Sequence, residues 1–131
     1  MSSVHPTGER AHILLVDDDE AIGRLFKDYM ADCAPQWECN FLSDSTKVLS
    51  WLDLYPCDCL VLDLHMPGID GLSLISLVRE KQTKLPIIIF TGHGYDEAKM
   101  QQALKAGANG YISKTLPPEE IYLAIMGTMK H

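Results

Sequence analysis

The stretch "CLVLDLHMPGIDGLSLISLVREK", residues 59–81, decides the fold. Its first residues form an aliphatic run that stays apolar until one acid, Asp63. A strand with one wet face would alternate apolar and polar residues; an unbroken run reads as a strand covered on both faces. A turn rich in Pro67, Gly68 and Gly71 follows. Beyond it Leu74, Ile75 and Val78 recur at helical spacing, with Asp70 placed to cap the helix and Gly71 allowing close packing. A doubly covered strand followed directly by an amphipathic helix is half of a β-α-β unit.

The same alternation runs through the chain. Strand-like segments fall at 12–17, 37–43, 59–63, 86–91 and 109–113. Helical periodicity lies between and after them. Ile22, Leu25, Phe26, Tyr29 and Met30 make one stripe, and Val48, Leu49 and Leu52 a second, with Ser43 or Asp44 as its cap. Met100, Ala103 and Leu104 precede a capping Gly107. The last helix follows Pro117 and Pro118 and carries Glu119 and Glu120 in its first turn, where negative charge suits the helix dipole. Five β-α repeats with short connections predict an α/β fold with a doubly wound parallel sheet. In such a sheet the ligand chemistry gathers at the carboxyl ends of the strands.

With 131 residues, 47% of them apolar, the chain can bury one core without staples. The expected organisation is an N-terminal arm over 1–10 and one domain over 11–131. A net charge of −7 argues against nucleic-acid binding by this domain, which would want a basic face. No segment has the length of a membrane span or the apolar core of a secretory signal, so a cytoplasmic location is expected. Cys33, Cys39, Cys57 and Cys59 contain no Cys-x2-Cys pair and read as ordinary thiols. Cys57 and Cys59, two apart, are expected on one face of a strand.

Polar residues mark the strand ends: Asp17, Asp18 and Asp19 after the first, Asp63 after the third, Thr91 after the fourth, Lys114 after the fifth. Converging carboxylates are costly unless a cation neutralises them, and an all-oxygen donor set points to Mg²⁺ or a similar hard ion. Mg²⁺ with a hydroxyl and an ammonium suits phosphoryl chemistry, and a carboxylate can itself be the nucleophile. Each residue alone has a blander reading as a cap or a solvated side chain; their joint occurrence in order on four strand ends is the signal.

The motifs "LLVDDDE" (14–20), "VLDLHMPGIDGL" (61–72), "IIIFTGHG" (87–94) and "GANGYISK" (107–114) make residues 11–129 resemble the receiver domain of two-component response regulators. The resemblance implies a flavodoxin-like five-stranded sheet in the order 2-1-3-4-5. It implies Asp63 as phosphoacceptor. It implies Mg²⁺ held by Asp17, Asp18, Asp63 and the backbone carbonyl of His65, with Asp18 a more direct ligand than Asp17. Thr91 and Lys114 would follow the phosphoryl group, and Tyr111 would be the switch aromatic. The side chains of His65 and His93, two residues after Asp63 and Thr91, would tune dephosphorylation. Lys114 is followed by Thr115 where the family often has a proline in a cis peptide.

The implied partners are a histidine kinase or histidine phosphotransfer protein, and a downstream output domain or effector. No enzyme activity is implied beyond the chain's own phosphoryl gain and loss. "GANGYISKTLPPEEIYLAI" is closest to the branch with LuxR-type helix-turn-helix outputs. A longer, DNA-binding regulator is therefore one expectation and a stand-alone docking regulator the other. A second stripe on the last helix, Tyr122, Met126 and Met129, reads either as a dimer or effector surface or as part of a broad buried face; a phosphorylation-dependent homodimer through the fourth helix, fifth strand and fifth helix is one expectation. Two other readings compete. One is a haloacid-dehalogenase-type phosphatase using Asp17 and Asp19, although Ala21 stands where that motif wants Thr or Val. The other is a receiver that binds partners without phosphorylation.

Overall fold

The structure is a computed structural model and describes residues 10–92 and 96–130. Of the arm expected over 1–10, residues 1–9 lie outside the described residues. The strands are β1 (Ala11–Val16), β2 (Trp37–Leu42), β3 (Cys59–Leu62), β4 (Ile87–Thr91) and β5 (Gly110–Ser113). They alternate with α1 (Glu20–Cys33), α2 (Val48–Leu54), α3 (Gly71–Arg79), α4 (Glu97–Ala106) and α5 (Pro118–Met129). A short 3-10 turn, Ser45–Lys47, leads into α2. Every pairing is parallel and the sheet order is β2-β1-β3-β4-β5. This is the expected doubly wound, flavodoxin-like α/β sheet.

The aliphatic runs explain the layering. Successive side chains of a strand leave on opposite faces, so a strand without polar residues feeds two cores. Leu14, Val16, Leu60, Leu62, Ile87 and Ile89 meet Val48, Leu52, Leu74, Ile75, Val78 and Ala103 on the α2-α3-α4 side. Ile13, Leu15, Cys59, Val61, Ile88 and Phe90 meet Phe26, Met30, Ile121 and Ile125 on the α1-α5 side. The edge strands are mixed: β2 exposes Glu38 and half-buries Asn40. The capping expectations resolve to particular groups. Asp44 caps the 3-10 turn through Thr46 N–H at 2.9 Å, and Asp70 caps α3 through Ser73 N–H at 2.9 Å. Gly107 closes α4.

At the amino-terminal end of the sheet Arg79 ties α3 to the α4–β5 connection. It donates to Gly107 O at 3.0 and 2.7 Å, to Gln82 O at 2.7 Å and to Asn109 Oδ1 at 3.0 Å.

One expectation is corrected. Cys57 and Cys59 do not share a face: Cys59 packs on the α1-α5 side and Cys57 against the α2-α3-α4 core. The pleat begins only at Cys59. Asp58 exchanges bonds with His12, its N–H to His12 O and its carboxylate to His12 N–H, both at 2.7 Å. Cys57 lies before that bend, and its thiol donates to Cys59 O at 3.3 Å. Burial pushes the Cys57 thiol up to about 12 and that of Cys59 higher still, which leaves both inert as nucleophiles at neutral pH.

The second stripe of α5 is half-buried. The Tyr122 ring lies 4.9 Å from that of Trp37, and Met126 and Met129 pack on the α1-α5 core. Ile121 and Ile125 are the buried residues of α5, and its outward apolar residue is Leu123, 62% exposed.

Candidate functional site

β1 and β3 are neighbours, so the residues that follow them emerge side by side. Asp17 is fully buried, its N–H bonded to Leu42 O at 3.1 Å. Asp63 is 5% exposed, and its N–H reaches back to Val16 O at 3.0 Å. Asp18 is exposed. One carboxylate oxygen from each of Asp17, Asp18 and Asp63 lies within 4.8 Å of the other two. Asp19 stands apart. It is the N-cap of α1, accepting from Ala21 N–H at 2.9 Å and Ile22 N–H at 3.4 Å. The pair that a haloacid-dehalogenase reading would need is therefore not assembled: one member is a cap and the other is buried.

β4 and β5 bring the remaining groups. Thr91, the last residue of β4, is 3% exposed, and its carbonyl accepts from Lys114 N–H at 2.8 Å. The Lys114 ammonium lies 2.5 Å from Asp17 Oδ2 and 3.5 Å from Asp63 Oδ2. The other oxygen of Asp63, Oδ1, accepts from His65 N–H at 3.2 Å. Tyr111 is half-buried in β5 against the α2-α3-α4 core. With His65, Thr91, Asp96 and Lys99 it lines an open pocket beside the acidic cluster. His93 lies outside the described residues. Among the described residues no peptide bond is cis. Ser113 and Thr115 instead bracket Lys114, their hydroxyls 2.7 Å apart.

The electrostatics follow from burial. Burial pushes the Asp17 carboxyl above its ordinary range, against the pull of Lys114 and of the Asp19 N–H; Asp63 adds to the rise. Burial works against the charged form of Lys114 too, but the carboxylates of Asp17 and Asp63 outweigh it and hold the ammonium above its ordinary value. A raised carboxyl keeps its proton to higher pH in the native chain than in the unfolded one. The resulting stabilisation is complete below the unfolded value and is lost as pH rises through the native one. Asp17→Asn cannot titrate. In EDTA its melting temperature should gain on that of the parent chain by a few degrees as pH rises from the carboxylate range to neutrality. Parallel pH curves for the two proteins would refute this.

A hard divalent cation fits the donor set. Among the described residues three clustered carboxylates face the Lys114 ammonium, so the group stays net negative, and the donors they offer are oxygens.

The family model of the response regulator receiver domain matches residues 13–126. The chain belongs to the receiver domain family of two-component response regulators. It is 30% identical over 126 residues to the response regulator protein TodT of Pseudomonas putida, covering 96% of this chain and 54% of that protein. It is 30% identical over 121 residues to the transcriptional regulatory protein FixJ of Bradyrhizobium diazoefficiens, covering 92% of this chain and 58% of that protein. The chain thus spans about half the length of the curated relatives it matches. The fold is shared with the receiver domain of the sensor histidine kinase PA1611 of Pseudomonas aeruginosa, at a TM-score of 0.81 and 19% identity, over 93% of this chain and 99% of that one. In that protein a magnesium ion is coordinated in the active site cleft.

One buried polar group went unnoticed in the sequence. Ser45, in the 3-10 turn, is 2% exposed. In "SDST" it is indistinguishable from its capping neighbours, and its partners lie 22 and 24 residues away.

Proposed function

We propose that the chain is a phosphoacceptor switch in which Asp63 takes a phosphoryl group from the phosphohistidine of a histidine kinase or phosphotransfer protein. The observation that carries this is the setting of Asp63. Its carboxylate is nearly buried, with Oδ1 held by His65 N–H and Oδ2 facing Lys114, beside two further acids. An Asp63 oxygen attacks phosphorus, the phosphorus–nitrogen bond to the donor imidazole breaks, and the imidazole leaves with a proton. Asp17, Asp18, Asp63 and the His65 carbonyl would hold Mg²⁺, which when bound offsets charge on the transferring phosphoryl oxygens. Once Asp63 carries the phosphoryl group, Lys114 exchanges its contact with Asp63 for the phosphoryl oxygens. The Thr91 hydroxyl turns to the same group, and Tyr111 moves into the space behind it.

That sequence biases a two-state equilibrium of α4, β5 and α5. No other catalysis is inferred. An output domain beyond this chain fits its span of about half of its relatives, one of which is named a transcriptional regulator. The net charge of −7 argues against DNA contact by this domain itself. Among the described residues no helix is long and apolar enough to cross a membrane, and an ATP-fed phosphorelay fits a cytoplasmic chain. A homodimer formed on phosphorylation through α4, β5 and α5 would use Leu104 and Leu123, 40% and 62% exposed, and is read by sedimentation with and without a phosphoryl mimic.

The test of the reading is intact mass after incubation with acetyl phosphate. The chain should gain one phosphoryl group with Mg²⁺ and none after chelation. His65 is exposed at the rim of the pocket beside Asp63, where its ring can meet incoming water. His65→Ala should change the half-life of the phosphorylated chain severalfold, followed as loss of the added mass; an unchanged half-life refutes that role.

A further inference from the structure

The hydroxyl of Ser45 is buried and both donates and accepts. It donates to Pro67 O at 3.0 Å and accepts from Ile69 N–H at 3.0 Å. Both partners belong to the loop that follows Asp63. Gly68 between them has φ +85, and a Cβ there would come within 3.1 Å of Ser45 Oγ and of Thr46 Cγ2, so the loop folds directly over the 3-10 turn. Capping does not explain Ser45, because Asp44 already supplies the cap, to Thr46 N–H at 2.9 Å and Thr46 Oγ1 at 2.6 Å.

Three ties to described residues hold the loop. At its start His65 N–H bonds Asp63 Oδ1 at 3.2 Å; at its end Gly71 N–H bonds Leu64 O at 3.1 Å; in its middle Ser45 holds both Pro67 and Ile69. The middle tie comes from another element, so it sets where the loop sits relative to the rest of the sheet edge.

We propose that Ser45 is a positioning residue for the phosphoacceptor site: through Pro67 and Ile69 it holds the segment that carries the His65 N–H and the His65 carbonyl. The inference rests on the phosphoacceptor reading above. A site whose groups are held by supporting bonds binds its cation without first ordering a loop. Without the hydroxyl, residues 65–69 lose that order, and Mg²⁺ binding must restore it.

The test compares Ser45→Ala, Ser45→Thr and Arg79→Ala with the parent chain. The first readout is metal-free: in EDTA the Ile69 amide should exchange its hydrogen at least about tenfold faster in Ser45→Ala, as loss of its acceptor requires. The second is Mg²⁺ half-saturation by calorimetry, expected about 5–10-fold higher in Ser45→Ala, with slower uptake from acetyl phosphate. Ser45→Thr keeps the oxygen and should recover most of both. Arg79→Ala loses stability at the opposite end of the sheet and should leave Mg²⁺ half-saturation unchanged. Should Ser45→Ala fail to fold, Ser45→Cys, similar in size with a weak donor, replaces it. Mg²⁺ half-saturation within twofold of the parent in Ser45→Ala, or an equal rise in Arg79→Ala, overturns the inference. A parent chain that binds no Mg²⁺ and gains no phosphoryl group overturns the phosphoacceptor reading itself.

Discussion

Asp63→Asn is expected to gain no phosphoryl group from acetyl phosphate under conditions that modify the parent chain fully. The loss is complete because the substitution removes the anionic nucleophile: a neutral carboxamide oxygen is a far poorer nucleophile than a carboxylate. The change is otherwise conservative. Asn keeps an oxygen for the His65 N–H that bonds Asp63 Oδ1 at 3.2 Å, and Lys114 retains Asp17 at 2.5 Å. The charge of Asp63 helps to raise the Asp17 carboxyl, so removing it relieves repulsion. The metal-free variant should therefore melt no lower than the parent, which separates loss of chemistry from loss of fold. Intact mass and a melting curve on the same sample decide the matter. An adduct that survives in Asp63→Asn and maps to Asp17 would favour aspartyl-phosphatase chemistry, and would have to explain how a fully buried carboxylate meets its donor.

What could be read before the structure divides along a physical line. β1, β3 and β4 were legible because a strand buried on both faces needs an unbroken apolar run, and few other elements tolerate one. α3 was legible for a related reason: Leu74, Ile75 and Val78 are all buried, so its stripe and its buried face coincide. On α1 and α4 they do not. Leu25 and Tyr29 are 48% and 43% exposed, and in α4 only Ala103 is buried, because these helices cover the sheet with narrower faces than their apolar residues mark.

In the site, residue types at strand ends revealed the carboxylates, the hydroxyl and the ammonium, but not who holds whom. Asp17 reads as a metal residue and Lys114 as a phosphate residue, yet in the structure the two are each other's partners at 2.5 Å. Pairing depends on side-chain reach across neighbouring strands, which spacing along the chain does not encode. Ser45 shows the same limit more sharply. A buried serine is recognisable only by the groups that surround it, and here they come from a loop after a different strand.

That loop also sets the second large effect, Gly71→Ala. A Cβ on Gly71 would lie 2.6 Å from Leu64 Cα, 2.8 Å from Asp63 O and 2.9 Å from Leu64 Cδ2. Two of these are backbone atoms, so no rotamer change can make room. Either α3 moves off β3 or the strand end bearing Asp63 moves. Each route strains Gly71 N–H to Leu64 O, and the first also opens the packing of Leu74 and Ile75. Overpacking of this kind costs about 1–3 kcal/mol, and contact with backbone argues for the upper end. Alanine's better helix propensity returns about 1 kcal/mol at most. A net loss of about 2 kcal/mol is expected, read as a lower urea midpoint with unchanged slope. Gly127→Ala in α5 supplies the contrast, since a Cβ there meets nothing within 4 Å. Free of any clash, it should stabilise by up to about 1 kcal/mol. The same substitution should thus move stability in opposite directions at the two positions, and only the one at Gly71 should also slow phosphorylation of Asp63, because only there does the displaced backbone carry the acceptor. Equal effects at both glycines would mean that α3 yields freely, and that close packing behind Asp63 does not hold the acceptor in place.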